Sequence, residues 1–426
     1  MYLNTASAPA SRVSPDRLPL FDAIKGVACM VIVGHHLARY GPLPIGASTL
    51  LPSFLGWLAE NGRLAVQVFL VISGFLAAGS LAPDGVQVGA GPLQRVLRRY
   101  ARLVMPYLAA LIVCVLVEAL VRPWMNDSVI PAAPGLAQLV AHGLLLQDLL
   151  GYPALSAGVW YVAIDFQLFV MAVLIVRLGG LLQRYQAFDA GQARSTVPVL
   201  VLVLTATSLG LFNRHAVLDN TALYFFGAYG LGMLAFWVGR ATRSGAWWAG
   251  MALLAVLGTV ALVIDWRSRI ALALATALVV AIVQRRTRPG PAVWTVLARP
   301  LVRTGQISYS LFLIHFPVIL LVNAVVDNLW PMQPWTALWG MVAAFGLSVV
   351  AAGCLHRWVE MRAASWQSIA FLFATLLVCG AAVSGQDAIP SRDVLNARLP
   401  MHAVAGWNRQ PVQPTFSRQL THTAPL

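Results

Sequence analysis

The first apolar stretch of the chain, LFDAIKGVACMVIVGHHLARYG (20–41), contains ionisable residues that a membrane span normally excludes. A charged residue inside a span costs roughly 2.5–3.5 kcal/mol on insertion scales, so it is rarely present without a role or a partner. At about 100° per residue, the step from Lys25 to His36 returns the helix face to within roughly 20°, whereas His35 lies about 80° away. One face therefore presents a cation near one membrane surface. About 16 Å further along it presents an imidazole suited to proton transfer.

Two later apolar stretches are also interrupted by polar groups. GVWYVAIDFQLFVMAVLIV (158–176) contains Asp165, whose carboxylate needs a partner inside a membrane, either a basic residue or His36. TGQISYSLFLIHFPVILLV (304–322) contains Ser308, Tyr309 and His315. These groups are candidates for binding a substrate or an oxyanion, and for His315 a hydrogen-bonded structural histidine is the alternative.

Basic residues precede the third apolar stretch in QRVLRRYARLVMPY (94–107). Arg98, Arg99 and Arg102 recur at helical spacing, which fits either an anchor for anionic lipid headgroups or a cradle for a phosphorylated ligand. Ser73 and Gly74 form a small pair within the second apolar stretch. Such a pair permits close helix packing, and Ser73 is also a candidate substrate contact. The sequence predicts no metal site, because the adjacent histidines 35 and 36 project about 100° apart on a helix.

The elements that carry these residues follow from composition. The chain has 426 residues, 59% hydrophobic and only 10% charged, whereas soluble domains are about 25% charged. We therefore predict an all-α, polytopic membrane bundle of about 10–11 transmembrane helices. The predicted spans lie near 20–38, 64–82, 100–121, 158–178, 197–212, 222–239, 247–264, 269–285, 307–326, 337–355 and 367–385. Residues 39–63 are predicted to form a loop, and residues 136–150 a short interfacial or re-entrant helix.

The net charge of +14 reflects arginines that cluster in alternate loops between spans. This pattern sets membrane orientation, so we expect a cytoplasmic N-terminus and no nucleic-acid partner. The four cysteines lack paired spacing and indicate neither disulfides nor zinc. The predicted divisions are a cytoplasmic segment at 1–19, a transmembrane domain at 20–365, an additional span at 366–385 and an extracytoplasmic polar tail at 386–426.

Taken in order, the unusual stretches resemble acyltransferase family 3, which comprises integral membrane acyltransferases of bacteria. The similarity extends over about residues 18–365, and five of its motifs are present in order. The matching residues are Lys25 and His36; Phe69, Ser73, Gly74 and Phe75; Arg98, Arg99, Arg102, Pro106 and Tyr107; Trp160, Asp165 and Phe169; Ser308, Tyr309, Phe312, His315 and Pro317. Lys25 and Asp165 stand where the family usually has arginine and glutamate, so charge is kept at both positions. Lysine lacks the bidentate fork of arginine, and Lys25 is the only lysine among 29 basic residues.

The resemblance implies transfer of an acyl group, usually acetyl, from acyl-CoA to a hydroxyl of a cell-envelope glycan or similar acceptor at the bacterial inner membrane. His36 would act as general base or as a transient acyl carrier, with Lys25 and Asp165 completing the catalytic set. Arg98, Arg99 and Arg102 would bind the phosphates of acyl-CoA, the donor substrate. The partners implied are the lipid bilayer, acyl-CoA and a polysaccharide or lipid-linked sugar. A transporter or flippase of an anionic lipid-linked substrate is the alternative that intramembrane charge also permits.

Overall fold

A computed structural model describes residues 19–89, 91–125, 130–185, 190–285, 299–331 and 333–387. The described residues form helices and connecting turns, with no strand among them. Within these ranges, 11 helices are long and apolar enough to cross a membrane. The prediction of an all-α bundle of about 10–11 transmembrane helices is therefore confirmed.

The helices follow one another along the chain with short connections. The first eight are α1 Pro19–Leu37, α2 Leu43–Ala47, α3 Pro52–Asn61, α4 Val66–Leu81, α5 Pro92–Val121, α6 Leu136–Gly143, α7 Val159–Tyr185 and α8 Ala190–Gly210. The other seven in the described ranges are α9 Ala222–Gly239, α10 Ser244–Ile264, α11 Ser268–Arg285, α12 Arg299–Gln306, α13 Ser308–Leu329, α14 Pro334–Leu355 and α15 Trp366–Asp387.

The segment before α4 departs from the sequence prediction of a loop at 39–63. It forms α2, α3 and a 3₁₀ turn at Gly62–Ala65, so the second candidate span covers Pro52–Leu81. Pro52 occupies the first turn of α3, where the missing N–H of proline has no intrahelical partner to lose. The prolines thus begin helices here instead of preventing them. The turn also packs on α1, because a Cβ at Gly62 would lie 2.6 Å from the Cβ of His35.

Residues 136–158 form a segment, here named the re-entrant segment, that enters the bundle and returns to the same side. The Ser384 hydroxyl on α15 donates to the carbonyl of Pro134 at 2.7 Å, whereas Gly143 packs against Phe373 lower on the same helix. The step from 384 to 373 corresponds to about 16 Å of helix rise. At that depth the Tyr100 hydroxyl donates to the Gly143 carbonyl at 2.7 Å. The short helix predicted within 136–150 is thus present, and it is not among the candidate spans.

Glycines allow the helices that carry the polar residues to touch through their backbones. A Cβ at Gly74 of α4 would collide with the carbonyl oxygen of Tyr229 on α9, and one at Gly232 with that of Val71 on α4. A Cβ at Gly305 of α12 would likewise collide with the carbonyl of Asp22 on α1. Small residues at helix interfaces permit this close approach in a membrane. These contacts fix α4 against α9, and α12 against the start of α1.

Candidate active site

His36 on α1 and His315 on α13 meet in the interior of the bundle. Their rings are edge to face, with centroids 4.9 Å apart. His36 is 7% exposed and His315 is fully buried. The tyrosine one turn after His36, Tyr40, contacts the His36 ring at 5.2 Å between centroids and also contacts Phe316. The site is therefore a pair of imidazoles enclosed by aromatic rings.

Hydrogen bonds define which ring nitrogens of the pair are available. Nδ1 of His315 lies 3.1 Å from the Leu311 carbonyl, and because a carbonyl only accepts, Nδ1 carries the proton. Nε2 of His315 then holds a lone pair, and it is buried without a hydrogen-bond partner. Nδ1 of His36 is also buried without a partner. Buried polar atoms are nearly always paired, so two open nitrogens in adjacent rings make this pair a candidate functional position.

His35 has a different environment from its neighbour. Its Nδ1–H donates to the Leu58 carbonyl at 2.9 Å, which ties α1 to α3. The two adjacent histidines therefore have different contacts, because His35 links α1 to α3 whereas His36 faces the imidazole of His315.

Asp165 on α7 pairs with Arg99 on α5. The carboxylate and the guanidinium are 2.5 Å apart, and the carboxylate residue is only 4% exposed. The Arg99 guanidinium also lies 5.4 Å from the centre of the Phe169 ring. The sequence allowed two kinds of partner for Asp165, a basic residue or His36. In the structure the partner is the basic residue Arg99. Removing Arg99 would leave a buried carboxylate unpaired, so the pair has a strong structural role.

Lys25 forms an ion pair with Asp22 one turn earlier on α1, at 2.7 Å. The Lys25 side chain keeps 25% of its surface exposed, so the ammonium group retains access to a ligand. Because Asp22 bonds Lys25 and Asp165 bonds Arg99, neither carboxylate is hydrogen-bonded to His36 in the described structure.

The three candidate arginines of α5 do not act as one group. Arg98 and Arg102 are exposed, and four positions apart they share a helix face, whereas Arg99 is half-buried and points to Asp165. Neither Arg98 nor Arg102 makes an ion pair within the described residues. They remain available to an anionic ligand at the surface of the bundle.

The two hydroxyl groups of α13 that are candidates for stabilising an oxyanion already donate hydrogen bonds to backbone carbonyls. The Ser308 hydroxyl donates to the Gly305 carbonyl at 2.8 Å, and the Tyr309 hydroxyl donates to the Leu103 carbonyl at 2.9 Å. An oxyanion needs a donor, so each hydroxyl would first have to leave its carbonyl. Ser73 lies beside the hydroxyl of Tyr161.

Sequence reasoning assigned no role to two further buried groups. The Tyr107 hydroxyl is buried without a partner, and so is Oε2 of Glu118, whose other oxygen accepts from Cys114 at 3.1 Å. Both lie on α5, the helix that carries Arg99. A carboxylate in an apolar run was the available signal for Glu118. Within the described ranges, no group of three histidine, cysteine or acidic side chains has a geometry that could hold a metal ion.

Comparison with known families adds to this geometry. The sequence model of an acyltransferase domain, that of acyltransferase family 3, matches residues 19–357. The chain belongs to acyltransferase family 3. No curated protein and no solved structure shows a significant match to it.

The acyltransferase is therefore a multi-pass membrane enzyme that transfers acyl groups to oxygen. Family membership distinguishes it from the transporters and flippases that its intramembrane charges also allowed. The matched region begins at α1 and ends just beyond α14, so it includes both histidines and both ion pairs described above. α15 lies outside the matched region.

Proposed function

We propose that the acyltransferase moves a short acyl group, acetyl in the first instance, from acyl-CoA to a hydroxyl of a cell-envelope glycan at the bacterial inner membrane. The observation that supports this proposal best is the His36–His315 pair, with its two open nitrogens inside the bundle. Acyl transfer to a hydroxyl needs a group that removes the hydroxyl proton, and an imidazole is suited to this near neutral pH.

In the proposed reaction, His36 accepts the proton of the acceptor hydroxyl while its oxygen attacks the thioester carbonyl carbon. The new C–O bond forms, the carbonyl electrons move onto oxygen, and the tetrahedral intermediate then expels sulfur as the C–S bond breaks. The imidazolium of His36 returns its proton to the thiolate, which leaves as free CoA. Atoms and charges balance without a metal or a redox partner.

The second imidazole favours the role of base over that of covalent acyl carrier. A proton taken up by His36 has a lone-pair acceptor in the adjacent ring, because Nε2 of His315 is unprotonated and unpartnered. A hydrogen bond from the His36 imidazolium to this nitrogen, which the two rings do not make in the described structure, would stabilise the protonated state. An acyl-imidazole would gain nothing from the same lone pair.

We place the donor at the predicted cytoplasmic side. Arg98 and Arg102 are exposed there and free of ion pairs within the described residues, and they suit the phosphates of CoA. Lys25, whose ion pair within the described residues is with Asp22, contributes a further cation on α1. Arg99 is bound to Asp165, so we assign it to holding α5 against α7 and not to phosphate binding.

The test is acyl transfer in membrane vesicles that contain the enzyme. Vesicles are supplied with acetyl-CoA, propionyl-CoA or butyryl-CoA carrying a labelled acyl group, together with envelope extract, and labelled glycan and lipid are separated. We expect label in the glycan fraction with the wild type and an initial rate of labelling about 10²–10⁴-fold lower with His36→Asn, while His35→Asn serves as the matched control on the same helix. Absence of transfer from all three donors would overturn the proposal.

A further inference from the structure

A cavity of about 340 Å³ opens among the ends of α4, α7, α9 and α11. Its lining includes Gln67, Asp148, Trp160, Asn220, Phe225 and Arg269. By the alternation of spans, all these helix ends lie on the side of the membrane opposite the predicted cytoplasmic side. We name this cavity the far-side cavity. Its volume falls within the roughly 300–1,000 Å³ of small-molecule sites.

We propose that the far-side cavity binds a neutral sugar ring of the acceptor. This inference rests on the proposed function, since it names the place where the hydroxyl-bearing substrate is held. Three features of the lining carry it: an aromatic wall, polar groups with unused hydrogen-bonding capacity, and a chain of rings that leads to the histidine pair.

The aromatic wall consists of Trp160 and Phe225. Their rings lie 5.7 Å apart between centroids and are tilted by 35°. Aromatic faces combine a large apolar surface with few rotatable bonds, which suits them to pack on the C–H face of a sugar ring. Tyr224 beside them is covered by the guanidinium of Arg269, which lies 4.6 Å from the ring centre and also donates to the Tyr224 hydroxyl.

The polar lining offers both acceptors and donors to hydroxyl groups. Gln67 is only 6% exposed and its side chain lines the cavity. The side-chain amide of Gln67 makes no hydrogen bond within the described residues. A buried amide in this state lacks a partner that a ligand can supply. Asp219 is exposed at the rim and free of ion pairs in the described structure, and Asp148 contributes a second carboxylate. Ionised carboxylates only accept hydrogen bonds, and hydroxyls are suitable donors.

The charges of the cavity argue for a neutral sugar. Arg63 and Arg269 line it together with Asp148 and Asp219, so two cations face two carboxylates. The re-entrant segment supplies Asp148, and the Asn220 side chain donates to the Asp148 carbonyl at 3.2 Å. This bond closes the rim between the re-entrant segment and the turn before α9.

A continuous run of rings connects the cavity with the reacting groups. Trp160 contacts Tyr161 at 6.3 Å between centroids, Tyr161 contacts Phe312 at 5.2 Å, and Phe312 contacts His315 at 6.1 Å. His315 then meets His36. A sugar ring held at Trp160 is therefore separated from the histidine pair by two aromatic side chains.

The experiment measures binding without the donor, so that it does not depend on catalysis. Asn220→Cys places a thiol at the rim of the purified full-length protein in lipid nanodiscs, which contain no sugar headgroup. A membrane-impermeant maleimide labels this thiol in the presence of a panel of neutral methyl glycosides, with a methyl glucuronide as the anionic probe. A parent protein without the new cysteine measures labelling of the native thiols.

We expect at least one neutral glycoside to slow labelling threefold or more at millimolar concentration. Adding Trp160→Ala should raise the glycoside concentration needed for protection tenfold or more, whereas Trp160→Phe should keep most of the protection. Trp266→Ala, on the same side of the membrane but outside the cavity, should leave the protective concentration unchanged. Protection by no neutral glycoside, by the glucuronide alone, or equally in Trp160→Ala would overturn this inference. Protection without acyl transfer by the wild type would instead overturn the proposed function and leave the sugar site in place.

Discussion

His36 and His315 come from helices at opposite ends of the matched region, yet their rings meet with centroids 4.9 Å apart. Each ring has a buried nitrogen without a hydrogen bond in the described structure. Two imidazoles this close in an apolar interior hold at most one positive charge between them, because two adjacent cations would repel each other. Under the proposed mechanism, the pair takes up one proton from the acceptor hydroxyl and releases it to the thiolate leaving group.

The first prediction separates the two neighbouring histidines. His36→Asn removes the proposed base and should lower the transfer rate by about 10²–10⁴, the usual contribution of general base catalysis. His35→Asn should keep most activity, because the Asn amide can donate to the Leu58 carbonyl as Nδ1–H of His35 does. Initial rates of labelled acetyl transfer at equal protein levels provide the measurement. A His36→Asn enzyme within tenfold of the wild type would exclude His36 as the base.

The second prediction concerns the lone pair of His315. His315→Asn keeps a donor near the Leu311 carbonyl but removes the acceptor at Nε2, whereas His315→Gln places an amide near the Nε2 position. We expect a loss of roughly 10–100-fold in kcat for the Asn variant, a smaller loss for the Gln variant, and an altered pH–rate profile in both. A purely structural role would leave the shape of the pH–rate profile unchanged. Equal losses of kcat in the Asn and Gln variants, together with an unchanged profile, would therefore reject the proposed proton sharing.

The sequence predicted the membrane bundle and its spans because apolar length alone decides whether a helix can cross a bilayer. It also predicted that Asp165 needs a partner, since an unpaired carboxylate is costly in a membrane. It did not select Arg99, because that choice depends on how α5 and α7 rotate against each other. Helix rotation is set by packing, as in the backbone contact of Gly74 with Tyr229, and such long-range contacts are not readable from one sequence.

The far-side cavity was likewise beyond prediction. Its lining comes from five separate parts of the chain, and its carboxylate Asp148 belongs to the re-entrant segment. The apolar residues 136–150 were recognisably too short to span the membrane, but their depth and partners follow only from contacts with α15 and Tyr100. The hydroxyls of Ser308 and Tyr309 show the same limit, because their carbonyl partners lie on other turns or helices.

The third prediction tests whether charge is sufficient at position 25. Lys25→Arg should keep the pair with Asp22 and stay within about threefold of the wild-type KM for acyl-CoA, since a cation at this depth is retained. Lys25→Gln should raise this KM about tenfold or more, because a charge-assisted contact to an anionic donor is lost. Arg184→Gln, an exposed cation at the end of α7, is the matched control and should not change KM. An unchanged KM in Lys25→Gln would remove Lys25 from donor binding.

The fourth prediction addresses the Arg99–Asp165 pair. Arg99→Gln should destabilise the protein by about 3–5 kcal/mol, because it leaves the buried Asp165 carboxylate without its partner, and Asp165→Asn should cost less, because Arg99 is only half-buried. The double variant should lose clearly less than the sum of the two. Thermal unfolding in one detergent measures the coupling in a double-mutant cycle. The exposed pair Arg240–Asp84, 3.5 Å apart, is the control, and its coupling should be about 0–1 kcal/mol. Additive losses at Arg99 and Asp165 would show that the pair is not coupled.

The last prediction concerns pH and the re-entrant segment. Burial lowers the pKa of His142 from 6.5 to about 4, and its neutral ring is satisfied on both sides by the Gln138 carbonyl and the Leu155 N–H. Between pH 6.5 and 4 the unfolded chain binds this proton and the folded chain does not, so stability falls as pH is lowered through this window. His142→Gln should therefore flatten the loss of thermal stability between pH 7 and 4.

Asp148 acts in the opposite direction within the same segment. Burial raises its pKa from 3.8 to about 6, so between these values the folded protein binds a proton that the unfolded chain lacks. Its contribution to stability is present at low pH and is lost as pH rises through about 6. Asp148→Asn should thus make stability fall more steeply as the pH is lowered. His142→Gln should have the opposite effect and make this fall less steep. Midpoints of thermal unfolding at pH 7, 6, 5 and 4 measure both slopes, and parallel curves for the two variants and the wild type would contradict these assignments.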